Sequence, residues 1–182
     1  AMSAGEMGIF PELMVGDASK NLRRVFYLTD AVRKSARGDS GIQRLHVVGA
    51  GVMGGDIAAV GAMAGLDVTL TDMNEAAIDG AIARAAKLFE RRLKTDDKIA
   101  AAKSRLRADK DGNGAGDADL IIEAVAEKLA VKQAVFQDLE AASKPDAILA
   151  TNTSAIPLED IATTLKAPER LIGLHFFNPV PV

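Results

Sequence analysis

The sequence predicts an α/β fold in which helices cover both faces of a doubly wound parallel sheet. Short apolar runs rich in Val, Ile and Leu alternate with longer segments of helical periodicity along most of the chain. Some of these runs are apolar almost throughout, which is typical of strands buried on both faces of a parallel sheet. A glycine-rich turn joins the first run to the helical segment that follows it. Together these features predict a parallel sheet in the spatial strand order 3-2-1-4-5-6.

Each element follows from a local pattern of apolar residues and end signals. The predicted strands cover residues 45–48, 68–70, 106–108, 120–125, 147–150 and 171–174. Helices are predicted from Asp17 or Ser19 to about Arg37, over the alanine-rich segment after the glycine turn, from Glu75 into Lys94, over 98–104 and 129–142, and from Pro157 onward. Asn74 is a candidate N-cap for the helix near Glu75, and a break at residues 95–97 separates that helix from the next.

The composition excludes several classes of protein. The chain of 182 residues has no cysteine, so it has no disulfide framework, no thiolate nucleophile and no cysteine-ligated metal. A net charge of −3 argues against a general nucleic-acid binder, and the longest apolar stretch is interrupted by Asp56, which argues against a membrane span. No secretory signal is visible, and a cytoplasmic protein fits.

The charge is spread unevenly along the chain. Residues 84–110, called the basic segment below, carry ten basic and four acidic side chains. Such a segment is either a solvated surface or a platform for a phosphate-bearing substrate, and the sequence leaves both interpretations open.

Glycine and proline positions divide the chain into three parts. Residues 1–16 contain three glycines and a proline without clear periodicity, which indicates an irregular lead. Residues 17–41 form a linker helix, ended by Gly38 and Gly41, whose apolar positions share one face. A membrane-surface or partner helix is conceivable, but packing on a neighbouring domain is the favoured interpretation. Residues 42–182 form the α/β domain.

The glycine-rich turn has the spacing Gly49-x-Gly51-x-x-Gly54 between a strand and a helix. The first glycine permits the tight bend, the second lets the backbone approach a pyrophosphate, and the third lets the helix pack closely. Asp72 ends the second strand 23 residues after Gly49, where a carboxylate accepts hydrogen bonds from both hydroxyls of an adenosine ribose. Residues 73–75 include no arginine for a 2′-phosphate. The pattern favours a Rossmann unit that selects NAD over NADP, rather than a glycine turn without a ligand.

Polar residues collect at the carboxyl ends of the predicted strands, where ligands bind in sheets of this kind. They include Glu123, Glu127, Ser154 and His175. Oxidation of an alcohol requires a base, and His175 is the better candidate because His46 lies inside the first strand and is more easily explained as structural. Ser154 has a hydroxyl that can hold the reacting oxygen, and it is also a candidate cap for the next helix.

Four segments, GAGVMGG, LIIEAVAEKLAVK, ATNTS and GLHFFNPVPV, together resemble the NAD-binding domain of (S)-3-hydroxyacyl-CoA dehydrogenases over roughly residues 42–182. The resemblance implies NAD as cofactor, an acyl-CoA as substrate, His175 as the base, and Ser154 in contact with both cofactor and substrate. The residues that it assigns to the cofactor are Gly49, Ala50, Gly51, Val52, Met53, Gly54, Asp72, Glu127, Lys132, Ser154 and Asn178. Family members approach coenzyme A at the basic segment, but no single contact residue there is matched.

The stretch FPELMVGDASKNLRRVFYLTD resembles the linker helix of multifunctional fatty-acid oxidation proteins, in which an enoyl-CoA hydratase domain precedes the dehydrogenase. In the family, a glutamate that orients the histidine and an all-helical domain follow the HFFNPVPV segment. The resemblance therefore implies a fragment that binds cofactor without turnover on its own. Two alternatives remain, a dinucleotide-binding module without catalysis and a stand-alone 3-hydroxybutyryl-CoA dehydrogenase domain. The linker-like residues 17–37 argue against the second.

Overall fold

A six-stranded parallel sheet forms the centre of the computed structural model, which describes residues 15–35, 38 and 40–181. Its strands are β1 (Arg44–Val48), β2 (Asp67–Thr71), β3 (Leu106–Ala108), β4 (Leu120–Glu123), β5 (Ile148–Thr151) and β6 (Leu171–Gly173). The spatial order is β3-β2-β1-β4-β5-β6, and every neighbouring pair is parallel, as the sequence predicts. The direction of winding reverses between β1 and β4, and ligands bind beyond the carboxyl ends of strands at such a point.

Helices connect most of the strands. They are α1 (Asp17–Ser35), α2 (Val52–Met63), α3 (Glu75–Arg92), α4 (Asp96–Arg105), α5 (Leu129–Ala142) and α6 (Leu158–Ala162), with short 3₁₀ turns at Asn113–Asp117 and Pro168–Arg170. Asn74 caps α3 as predicted, because its side chain accepts a hydrogen bond from the N–H of Ala76.

Two apolar cores lie on opposite faces of the sheet, because successive side chains along a strand point to opposite sides. On one face, α2, α3 and α4 pack against a cluster that includes Val47 and Leu70, both fully buried. On the other, Phe136 of α5 packs with Ile121 and Leu149. Burial of each such side chain contributes about 1.5–3 kcal/mol, so the two cores together hold the strand ends in place.

Differences from the predicted element ends are small and have local causes. β4 ends at Glu123 instead of Val125, because the N–H of Val125 donates to the Glu123 carboxylate at 2.7 Å instead of continuing the strand. Pro157 is the N-cap of α6 and precedes its first residue. The break before α4 is shorter than predicted, since Thr95 is the N-cap and the helix begins at Asp96.

The chain divides into two compact units, residues 1–41 and 42–182. In the first unit, α1 exposes several large apolar side chains, among them Leu22, Val25 and Phe26, each more than half exposed. Residues 1–14 of the predicted lead and residues 36–37 at the predicted end of the linker helix lie outside the described residues. No helix in the described part of the chain is long and apolar enough to cross a membrane.

Candidate active site

The turn between β1 and α2 has no room for a side chain at two of its three glycines. Gly49 has a φ of 106°, which favours glycine, and a Cβ there would lie 2.6 Å from the carbonyl oxygen of Ala124. A Cβ at Gly54 would lie 1.8 Å from the carbonyl oxygen of Gly49. The first and third glycines therefore fix the path of the turn and the close contact of α2 with it.

The second glycine leaves an open position at the start of α2. Gly51 is the N-cap residue, and no side chain caps the helix there. A Cβ at Gly51 would meet no heavy atom within 4 Å. The first N–H groups of α2, which have no partner within the helix, form an anion site together with the positive end of the helix dipole. This arrangement fits the pyrophosphate of a dinucleotide.

Asp72 follows β2 and contacts the glycine turn directly. Its Oδ2 accepts a hydrogen bond from the N–H of Ala50 at 2.7 Å, and its Oδ1 accepts one from the N–H of Asn74 at 2.8 Å. Each carboxylate oxygen has a further lone pair, so both can still accept ribose hydroxyls. The residue predicted to bind ribose thus also braces the turn, a contact that the sequence spacing did not predict.

A cavity of about 360 Å³, called the histidine cavity below, lies at the carboxyl ends of β4, β5 and β6. The predicted site residues that line it are His175, Ser154, Met53, Glu127, Lys132 and Asn178. Its other lining residues are Ala124, Val125, Asn152, Phe176 and Phe177. Met53 belongs to the first turn of α2 and connects this cavity to the glycine turn. The structure therefore brings residues from four separate sequence segments into one place.

Asn152 holds the segment that carries His175 beside the end of β5. Its Oδ1 accepts a hydrogen bond from the N–H of Phe176 at 2.8 Å. The His175 ring is exposed, and its centroid lies 4.7 Å from that of the Phe177 ring. Within the described residues neither imidazole nitrogen of His175 has a hydrogen-bond partner, so both nitrogens are available to a ligand.

A charged cluster of Glu123, Glu127 and Lys132 lies against the histidine cavity. The Lys132 side chain is 1% exposed, and its Nζ is 2.7 Å from Glu123 Oε1 and 3.2 Å from Glu127 Oε2. Glu127 also accepts hydrogen bonds from the Thr153 hydroxyl and from the N–H of Ser154. It therefore ties the loop after β4 to the loop that carries Ser154. Ser154 itself is not the cap of α6, because Pro157 occupies the N-cap position.

Three residues near the site were missed or given no role by sequence reasoning. Asn152 belongs to the ATNTS motif, and Glu123 ends an apolar strand, so the sequence around each of them could have indicated a role in the site. Nothing in the sequence around Arg84 of α3, apart from its charge, indicated such a role. Its Nη2 donates to the carbonyl oxygen of Gly51 at 3.3 Å, and the two residues are 33 positions apart.

A second cavity of about 410 Å³, called the basic cavity below, lies beside α2 and α3. Its lining residues are Asp56, Arg84, Lys87, Leu88, Arg91, Arg92, Pro179 and Pro181. Burial raises the pKa of Asp56, although the Arg84 guanidinium opposes the shift. With four cationic side chains and one carboxylate, this surface attracts anions.

A glycine turn after the first strand, a carboxylate after the second and a histidine after the sixth define a dinucleotide-binding domain of the dehydrogenase class. Residues 44–182 match the family described as 3-hydroxyacyl-CoA dehydrogenase, NAD binding domain. The chain belongs to this family, and NAD is its cofactor. The resemblance, the Rossmann fold and the cofactor predicted from the sequence are therefore confirmed.

Individual relatives agree with the family assignment. A 3-hydroxybutyryl-CoA dehydrogenase of Mycobacterium tuberculosis is 45% identical over 146 residues, which are 78% of this chain and 51% of the relative. The fatty acid oxidation complex subunit alpha of a Shewanella strain is 35% identical over 184 residues, 96% of this chain and 26% of that protein. The crystal structure of 3-hydroxybutyryl-CoA dehydrogenase from Escherichia coli K12 is similar with a TM-score of 0.74 and 39% identity, covering 78% of this chain and 31% of that one. The chain spans about half, or less, of the length of these relatives.

Proposed function

We propose that this chain is the NAD-binding and histidine-bearing part of a cytoplasmic enzyme that oxidises (S)-3-hydroxyacyl-CoA to 3-ketoacyl-CoA in fatty-acid β-oxidation. The observation that carries the proposal is the position of His175, Ser154 and Asn178 around one cavity next to the glycine turn. Oxidation of an alcohol needs a base, a group that holds the oxygen, and a nearby hydride acceptor. The names of the relatives agree with this substrate class.

The proposed cofactor site has two halves. The backbone of Gly51, Val52 and Met53 binds the pyrophosphate, and Asp72 accepts hydrogen bonds from the adenosine ribose. Glu127 and Asn178 lie beside the nicotinamide half, in the histidine cavity. Lys132 also lines this cavity, but its buried ion pair with Glu123 restricts it to an electrostatic role.

Bound NAD would supply the acceptor for the hydride from C3 of the substrate. His175 accepts the proton of the 3-hydroxyl on one imidazole nitrogen, and the Ser154 hydroxyl donates a hydrogen bond to the same oxygen. The rings of Phe176 and Phe177 add apolar surface to the lining of the cavity. General-base help of this kind contributes roughly 10²–10⁴ in rate.

His175→Asn tests the proposal in the natural full-length protein, with acetoacetyl-CoA reduction by NADH as the assay. The expected result is a loss of roughly 100-fold or more in rate with an unchanged dissociation constant for NADH, since asparagine cannot supply the proton. A variant that retains its rate would contradict the assignment of His175 as the catalytic base.

The basic cavity is the proposed contact surface for the phosphates of coenzyme A. It gathers Arg84, Lys87, Arg91 and Arg92 of the basic segment on one side of α3. Cationic side chains at a shared surface stabilise a ligand with several phosphate charges, whereas an evenly solvated basic helix does not concentrate its field. Lys94 follows the end of α3 and has no assigned part in this surface.

The exposed apolar side chains of α1 are the proposed contact with an enoyl-CoA hydratase domain that precedes this unit, and an all-helical domain is proposed to follow it. Val25, Phe26 and Val32 are each at least 60% exposed in the described chain, and a group of exposed large apolar side chains is typical of a surface that contacts another domain. The match to the fatty acid oxidation complex subunit alpha includes this region, since it covers 96% of the chain.

A dehydrogenase for short 3-hydroxybutyryl-CoA is a second candidate, because the 45% identical relative carries that name. The ratio of kcat/KM for acetoacetyl-CoA and for a long-chain 3-ketoacyl-CoA separates the two candidates. Preference for the long chain supports the multifunctional oxidation protein, and strong preference for acetoacetyl-CoA supports the short-chain enzyme.

A further inference from the structure

The charged cluster contains one more carboxylate than it has cations. Lys132 Nζ makes two short contacts with Glu123, 2.7 Å to Oε1 and 3.0 Å to Oε2, and one longer contact of 3.2 Å with Glu127. Glu123 and Lys132 are both almost completely buried. A buried carboxylate and ammonium group in bidentate contact neutralise one another, so the excess negative charge of the cluster belongs to Glu127.

Glu127 is held firmly in its charged form. Its Oε1 accepts hydrogen bonds from the Thr153 hydroxyl and from the N–H groups of Ser154, at 3.1 Å, and Ala155, at 3.3 Å. Burial would raise the pKa of Glu127, but the hydrogen bonds from Thr153 and Lys132 and the charge of Lys132 outweigh it, so the pKa lies below its usual range. The carboxylate is therefore ionised at neutral pH.

The excess charge faces the histidine cavity. Glu127 and Lys132 are among the residues that line this cavity, whereas Glu123 lies behind them. The cavity has no other permanently charged group among its described lining residues. The charged cluster therefore gives this wall of the cavity the net negative charge of one carboxylate. The proposed function places the nicotinamide ring at the same wall.

The two forms of the cofactor differ in charge at that ring, which is cationic in NAD⁺ and neutral in NADH. On the basis of the proposed function, we infer that the Glu127 carboxylate strengthens the binding of NAD⁺ relative to that of NADH. Since a carboxylate attracts a cationic ring much more strongly than a neutral one, removal of the Glu127 charge weakens NAD⁺ binding and leaves NADH binding comparatively unaffected. A purely structural role of Glu127, as the tie between two loops, changes the affinities for both forms together.

Glu127→Gln removes the charge while its amide oxygen remains an acceptor for Thr153 and Ser154. The dissociation constants for NAD⁺ and NADH are measured by calorimetry for the unmodified protein, for this variant, and for Glu127→Asp, which keeps the charge. Thr153→Val is the matched control, because it removes a hydrogen bond to Glu127 without removing charge. We expect the ratio of the NAD⁺ constant to the NADH constant to rise about three- to tenfold in Glu127→Gln, given a partly screened unit charge at close range. In Glu127→Asp and Thr153→Val we expect this ratio to stay within twofold of its value in the unmodified protein.

An unchanged ratio in a Glu127→Gln variant that binds both forms would overturn the inference and leave the proposed function intact. Failure of the unmodified protein to bind either form would instead contradict the proposed function itself. If Glu127→Gln does not fold, the salt dependence of the unmodified protein decides. The ratio must rise with ionic strength if the preference is electrostatic, and a flat ratio overturns the inference.

Discussion

Two carboxylates that are proposed to contact the cofactor also hold backbone segments together. Asp72 accepts the N–H of Ala50 in the glycine turn, and Glu127 accepts the N–H of Ser154 in the loop after β5. Both stand after the end of a strand, where backbone N–H groups lose their sheet partners and need others. A site built in this way keeps its geometry before the ligand arrives, which reduces the cost of binding.

Substitutions at the glycines of the turn are expected to cause two different defects. Alanine at Gly51 should weaken cofactor binding, and alanine at Gly54 should reduce stability. In Gly51→Ala the new methyl group has no neighbour within 4 Å, so we expect the protein to remain stable. The methyl group would lie where the pyrophosphate is proposed to approach the backbone. We expect an unchanged melting temperature within about 2 °C and at least roughly tenfold weaker NADH binding.

Gly54→Ala is the contrasting variant. Its methyl group would lie 1.8 Å from the Gly49 carbonyl oxygen, so the backbone must shift and stability falls by about 2 kcal/mol or more. Thermal unfolding and NADH fluorescence titration measure both effects. A Gly51→Ala protein with full NADH affinity would show that the cofactor does not approach this point of the backbone.

The burial of His46 is expected to make the free energy of unfolding depend on pH, independently of ligand binding. The side chain is 1% exposed, its Nδ1 is 2.8 Å from Thr69 Oγ1, and its Nε2 has no hydrogen-bond partner in the described residues. Burial lowers the pKa of His46 from 6.5 to about 4, and Asp109 only partly opposes this shift. Between these two values the unfolded chain binds a proton and the folded chain does not, so stability falls as the pH decreases from 6.5 towards 4.

His46→Gln removes this titration and keeps a polar group near Thr69. The unmodified protein is expected to lose about 2 kcal/mol more than the variant between pH 7.5 and pH 5, as measured by urea unfolding. Equal losses in the two proteins would mean that His46 is protonated, or accessible to water, in the folded state.

At the scale of elements, most of the fold was predictable because each strand and helix carries its own signal. Alternation of buried strands and helical segments predicted the sheet order, and Asn74 predicted the start of α3. The start of α4 at Asp96 is earlier than predicted, because Thr95 is its N-cap. The end of β4 was not predictable, because it depends on the Glu123 carboxylate taking the N–H of Val125. A side chain that competes with a strand for a backbone donor leaves no trace in the apolar pattern.

The basic face of α3 predicts how the protein binds coenzyme A. Lys87 and Arg91 line the basic cavity, one turn apart on α3. Replacement of both by glutamate should weaken acetoacetyl-CoA binding by about tenfold or more, and the affinity of the unmodified protein should fall with added salt. NADH binding should remain within twofold of its original value. Calorimetry with each ligand provides the measurement.

Lys98→Glu is the control for this prediction, because Lys98 belongs to the same basic segment but lies on α4, outside the lining of the cavity. Equal weakening of acetoacetyl-CoA binding by this change would point to a diffuse charge effect. No weakening by either change would establish that the basic segment is a solvated surface.

For the whole molecule, the sequence predicted which residues share a site but not the hydrogen bonds that fix their positions. His175, Ser154, Glu127 and Asn178 were predicted to share a site, and they line one cavity. The hydrogen bonds that hold these segments, such as that from the N–H of Phe176 to Asn152, join residues up to 28 positions apart, so they depend on the packing of complete elements. Such contacts become visible only when the sheet order and register are known.

We propose that this domain selects NAD through Asp72, and the most direct test compares its affinities for NADH and NADPH. The carboxylate accepts ribose hydroxyls and repels a 2′-phosphate, and Asp72→Asn removes the charge while its amide oxygen still accepts the N–H of Ala50. Fluorescence titration should show NADH binding at least about tenfold tighter than NADPH in the unmodified protein, and a clearly smaller difference in Asp72→Asn. Equal affinities for the two cofactors in the unmodified protein would contradict this account.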